Sequence, residues 1–176
     1  VRQDDMLAVW PSAYPSDTVL DFFTYAGAPQ TYNLMLGAGG GLSWESDDFS
    51  ISAPAGANAV RAKVIGVVEN QAPTKALTFE LPVTDHRVQA TGEVCQIALV
   101  ERHRATGNVS NGFVSGFGYE GSMAVASTVA HDSHHMIVVG TDRAMMAAAA
   151  NRLGDVGGGV TVWKDGKELA LVELPI

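Results

Sequence analysis

The chain has 176 residues, 47% hydrophobic and 17% charged, with a formal net charge of −8. That length holds one substantial domain, or one domain with a small appendage, and the apolar content excludes global disorder. An acidic chain whose densest basic run is Arg102-His103-Arg104 excludes a nucleic-acid groove, and no apolar run reaches the roughly 18 residues of a membrane span.

Residues 1–58 read as an irregular arm or the end of a preceding domain. Pro11, Pro15, Pro29 and Pro54 interrupt them, as does Gly37-Ala38-Gly39-Gly40-Gly41, and only Thr18–Tyr25 has a compact apolar look. The glycine run lacks the Lys-Ser/Thr ending of a phosphate loop and reads as a flexible turn. The start is not secretory in type, which fits a cytoplasmic chain, and it opens on Val1 rather than Met, as a fragment or processed piece would.

From residue 59 to 176 the pattern is that of a folded domain. Ala59–Val68 and Lys75–Val83 read as strands, the second with alternating Leu77, Phe79 and Leu81 and with Pro82 marking a sheet edge. Val94–Val100 is a third strand, and its Cys95, the only cysteine, reads as a buried thiol with no disulfide partner. A glycine-rich loop spans Gly107 to Gly121. Met123–Val129 and Met136–Val139 are short apolar runs on either side of a polar knot.

Asp142–Val156 is the one clear helix. Met145, Met146, Ala149, Leu153 and Val156 recur at three- and four-residue steps, Thr141 or Asp142 can cap the first turn, and Gly157-Gly158-Gly159 can end it. A hairpin closes the chain, Asp165-Gly166 being a two-residue turn signal. The expected fold is α+β: a mixed or antiparallel sheet, one main amphipathic helix and a C-terminal hairpin. A (β/α)₈ barrel does not fit this length.

Three polar constellations interrupt this pattern. Val129-Ala130-His131-Asp132-Ser133-His134-His135 holds three of the five histidines. It contains the residue types of a serine triad, but adjacent residues in one short loop do not line up as nucleophile, base and orienting acid. His131, Asp132 and His134 suit a metal, yet no second cluster completes a shell, because only His86 and His103 remain. The open readings are a turn tied down by local hydrogen bonds and a pocket completed by another domain or subunit. The second constellation, Glu101-Arg102-His103 through Asn108, leaves a strand end, and His103 can face the same cleft. In the third, Phe113 and Phe117 can stack on a planar base or anchor a core.

These segments resemble a known family. Val100-Glu101-Arg102-His103, Thr106-Gly107-Asn108, Gly112-Phe113-Val114-Ser115-Gly116-Phe117-Gly118, Val129-Ala130-His131-Asp132-Ser133-His134, Ile137-Val138-Val139-Gly140-Thr141 and Asn151-Arg152-Leu153 look like the C-terminal domain of adenine deaminases of the amidohydrolase superfamily. The resemblance covers residues 95–176 clearly and 59–94 loosely. It departs at Arg104-Ala105, where the family usually has glycine, and at His135, where it usually has asparagine.

The resemblance implies hydrolysis of adenine to hypoxanthine and ammonia. It also implies a separate barrel domain, on the same precursor or another subunit, whose manganese, iron or zinc activates water. This chain would then bind no metal and would be inert alone. His131, Asp132 and His134 would support catalysis at the mouth of the pocket, with Glu101, His103, Asn108, Phe117, Ser133 and His135 toward a purine-like substrate. The low charge fits a homo-oligomer. The rival expectations are a non-catalytic purine-binding domain and a structural oligomerisation module.

Overall fold

A computed structural model describes residues 42–103, 106–130, 133 and 135–174. The strands are β1 (Ala59–Gly66), β2 (Lys75–Thr84), β3 (Arg87–Val88), β4 (Val94–Val100), β5 (Val109–Ser115), β6 (Met123–Ser127), β7 (Met136–Gly140), β8 (Gly159–Lys164) and β9 (Lys167–Glu173). They form one sheet in the order β3-β2-β1-β5-β4-β7-β6-β8-β9. The β1–β5 pair is parallel and the others are antiparallel. The sheet is therefore mixed, open and α+β, as expected from the sequence.

The helix, α1 (Arg143–Val156), starts where its sequence says it should. Asp142 is extended at φ −137° and its Oδ1 accepts from the backbone N–H of Ala144 at 2.8 Å and of Met145 at 3.1 Å. Gly157 ends it at φ 79°, a conformation that costs glycine little, while the Gly158 N–H donates to the Leu153 carbonyl at 2.9 Å. The face carrying Met146, Ala149, Ala150 and Leu153 is buried. It packs on Ala124 and Ala126 of β6 and Val138 of β7, where small strand residues let the helix approach closely.

Segment 42–53 crosses the same side of the sheet and adds Trp44 and Phe49 to that core. It is pinned by polar contacts. The Asn151 side chain accepts from the Trp44 N–H at 2.9 Å and donates to the Trp44 carbonyl at 2.8 Å. The Gln96 amide donates to the Phe49 carbonyl, and Asn111 Nδ2 donates to the Asp48 carbonyl at 2.8 Å.

One sequence expectation fails. The Gly107–Gly121 stretch is not all loop, because β5 lies inside it between β1 and β4. A central strand is buried on both faces, so it loses the alternation by which a half-exposed strand is recognised. Phe113 sits in the core with Val64 and Leu81 and is not free to stack on a ligand. Pro82 lies where an imide belongs. It is on β2, whose only outer neighbour among the described residues is the two-residue β3.

The face opposite α1 is also apolar. Antiparallel register aligns Ile97 of β4 with Val139 of β7, Val139 with Val125 of β6, Val125 with Val162 of β8, and Val162 with Ala170 of β9. Paired residues share a face, so this row crosses five strands. Tyr119 covers the Cys95 end of this side. Cys95 itself is buried.

Candidate functional site

The β4–β7 register decides which polar residues meet. Val100 pairs with Met136, so the residues just beyond β4 lie beside those just before β7. The ladder with β5 continues one step further, the Glu101 N–H donating to the Asn108 carbonyl at 2.9 Å. The second constellation and the described part of the histidine knot thus converge at one end of the sheet. His131, Asp132 and His134 lie outside the described residues, and so do Arg104 and Ala105. Ser133 and His135 are their described neighbours.

The meeting is direct. His103 Nε2 lies 3.0 Å from the Ser133 carbonyl. A carbonyl only accepts, so Nε2 carries the proton in this contact. The His103 and His135 rings are tilted at 50° with centroids 4.6 Å apart. Ser133 Oγ accepts from the His135 N–H at 3.4 Å, a long bond.

Glu101 and Arg102 are both buried, at 5% and 1% exposure. Both follow the last residue of β4, Val100. Glu101 Oε2 accepts from the Thr106 N–H at 3.1 Å and from its hydroxyl at 2.8 Å. The Thr106 hydroxyl in turn accepts from the Asn108 N–H at 3.2 Å. The carboxylate thus ties Thr106 back to the end of β4.

Phe117 does not join this group. It follows β5, whose Ser115 end pairs with Val94, at the other end of β4. About seven strand residues, roughly 20 Å, separate it from Glu101. It is 40% exposed and its ring contacts that of Tyr119 at 5.3 Å. Burial raises the Cys95 thiol above its ordinary pKa, a shift that its hydrogen bond with the Tyr119 backbone opposes. Burial likewise raises the Tyr119 phenol, with the Cys95 charge adding to it. His86 is also remote from the cluster. With Asp85 it makes the β2–β3 turn, both residues at positive φ.

Among the described residues, no three His, Cys, Asp or Glu side chains gather as a metal site requires. No helix among them is long and apolar enough to cross a membrane. Gln96, which with Asn151 pins segment 42–53, carries no periodic or spacing signal, and Asn151 is visible only as part of the family-like Asn151-Arg152-Leu153.

Comparison with known proteins agrees with this layout. The family model described as "Adenine deaminase C-terminal domain" matches residues 71–176. The chain is 72% identical over 151 residues to the adenine deaminase of Roseobacter denitrificans, covering 86% of this chain and 24% of that protein. It is 68% identical over 136 residues to that of Paracoccus denitrificans and 45% identical over 130 residues to that of Moorella thermoacetica. The chain spans under a quarter of the length of these relatives.

Proposed function

The chain belongs to the family of adenine deaminase C-terminal domains, and from that membership we propose that it serves as the C-terminal part of an adenine-deaminase-like aminohydrolase. The reaction is adenine plus water giving hypoxanthine plus ammonia. Its chemical centre lies on a barrel domain or partner chain, and the Glu101–His103–Ser133–His135 end of the sheet borders that centre. The observation that carries this reading is the convergence of two separate polar segments at one sheet end, in a chain matched by full-length adenine deaminases.

The described residues do not form the family's metal site. The Glu101 carboxylate is engaged by Thr106, and His103 Nε2 by the Ser133 carbonyl. In this reading the metal belongs outside the described residues, and the cluster supplies a carboxyl group and two imidazoles to the rim of the pocket. His131, Asp132 and His134 are assigned to the same rim by their sequence adjacency to Ser133 and His135. The reading carries a cytoplasmic setting and a homo-oligomer with it.

Ammonia release tests it. The 176-residue chain, supplied with adenine and manganese, releases none. The same chain grafted in place of the matched segment of the Roseobacter denitrificans protein releases ammonia. In that graft, E101Q with H103N lowers kcat by about tenfold or more while the thermal midpoint is kept. Deamination by the chain alone, or an unaltered kcat in the double variant, overturns the proposal.

A further inference from the structure

The two ends of one sheet face contradict each other. On the side opposite α1, β1 and β2 carry Arg61, Lys63, Thr78 and Glu80, paired across the strands as a solvated face should be. On the same side, β4, β7, β6, β8 and β9 carry the registered row from Ile97 to Ala170. The next row adds Leu99, Ile137, Val160 and Val172, with Ser127 as its polar member. Val172 is 56% exposed, and the nearby Leu169 is 61% exposed.

Five strands about 4.8 Å apart and two rows deep make a patch of roughly 300–400 Å². That is within the range of the largest apolar patch on an ordinary monomer, and Val139 in its first row is buried at 5% exposure, packed with Ile97, Tyr119 and Ile137. It is also the size of the apolar centre of an interface whose full extent is about 800 Å² per partner.

Chain adjacency joins this patch to the polar cluster. Glu101 directly follows β4 and His135 directly precedes β7. A body seated on the patch therefore meets the cluster at its edge.

We propose that the face formed by β4, β7, β6, β8 and β9 docks the catalytic portion of the full-length protein. That portion is the part of the relatives preceding the matched segment, and it sets the Glu101–His135 end against its active site. The inference rests on the proposed function. The occupant is chosen on length: this chain matches only 22–24% of the three relatives compared, and the matched family is the C-terminal domain, so most of each relative lies ahead of it. A polar β1–β2 end beside an apolar β4–β9 end is what a partner covering part of a sheet leaves behind.

Cysteine labelling tests the docking. V162C, V172C and K63C are placed singly in the 176-residue chain and in the Roseobacter denitrificans graft, with native Cys95 buried in both. Maleimide labels V162C and V172C in the chain alone and at least about tenfold more slowly in the graft, whereas K63C labels equally in both. Equal labelling of V172C overturns the proposal. Protection in the chain alone also overturns it: a second copy is the occupant if protection rises with concentration, and residues 1–41 if it is lost on their removal.

V172E gives an independent reading should a cysteine variant misfold. It leaves the thermal midpoint of the chain alone unchanged and lowers that of the graft, and equal midpoints overturn the docking. The labelling arms do not depend on catalysis. Protection with undiminished activity in E101Q/H103N keeps the docking and sinks the functional reading, and the converse separates them the other way.

Discussion

Gly140→Ala puts one methyl group into the most crowded point of the core. Gly140 ends β7 and is paired with Ala124 on one side and Gln96 on the other. A Cβ there lies 2.7 Å from Met146 Cγ, 2.8 Å from the Met123 carbonyl oxygen and 2.9 Å from Ala124 Cβ. Each is closer than side-chain carbons approach. Met146 is fully buried, and the Met123 carbonyl is held by the Thr141 N–H at 2.9 Å, so neither neighbour moves cheaply. The backbone is compatible with alanine because Gly140 is not among the residues at positive φ. The cost is therefore steric, about 2–3 kcal/mol for an overpacked core.

With a urea slope of about 2 kcal/mol per molar, the midpoint falls by about 1 M. Gly154→Ala is the opposing control. Its Cβ meets only Trp44 Cζ3 at 3.6 Å, an ordinary contact, inside α1. It stabilises by about 0.5–1 kcal/mol through helix propensity. Urea unfolding followed by circular dichroism reads both. A Gly140→Ala midpoint within about 0.2 M of the parent refutes the claim that β6, β7 and α1 close on this position.

The other expected outcomes are smaller. Asn151→Ala leaves the Trp44 N–H and carbonyl without their reciprocal amide, which costs about 1–2 kcal/mol and shifts tryptophan fluorescence as segment 42–53 loosens. Asp142→Ala removes the cap of α1 and costs about 1 kcal/mol by the same unfolding measurement, with the helical signal retained. For Cys95 the sign follows from burial. The folded thiol has the higher pKa, so its contribution is full below the ordinary thiol pKa and declines as pH rises through the folded value. The Cys95→Ala variant accordingly shows a shallower alkaline loss of stability than the parent, and an identical slope counts against the burial argument.

How much of this was legible depends on what each residue had to signal. The helix was readable because Asp142, the Met/Leu spacing and Gly157 each mark a different physical requirement. Strand β4 was readable because it is a short apolar run with a clear start after Gly92-Glu93. Strand β5 was not, since a strand enclosed by β1 and β4 needs small and apolar residues on both faces and resembles a glycine-rich loop. Trp44 and Phe49 belong to the core, but they lie outside helix and strand, where no period announces them.

The polar site was half legible for a related reason. Glu101, His103 and the knot could be placed at strand ends from the sequence. Their meeting depends on β4 pairing with β7 across an intervening hairpin partner and β6, a long-range choice that no local pattern records. The same pairing explains why Phe117 falls away from the cluster, because β5 runs back along β4 and delivers it to the other end.

The low charge of the chain and the apolar row from Ile97 to Ala170 are one fact seen at two levels. In β6, Ala124 and Ala126 are inward and must be small for α1 to approach, while Met123 and Val125 are outward and have no such constraint. A solvated strand would place Lys, Glu or Thr at those outward positions, as β1 and β2 do with Arg61, Lys63, Thr78 and Glu80. Apolar residues at outward positions in five neighbouring strands contribute nothing to packing against α1. Their burial becomes favourable, at about 25 cal/mol per Å² of apolar surface, only when something covers them. The composition is thus that of a sheet with two covered faces, of which α1 and segment 42–53 cover one.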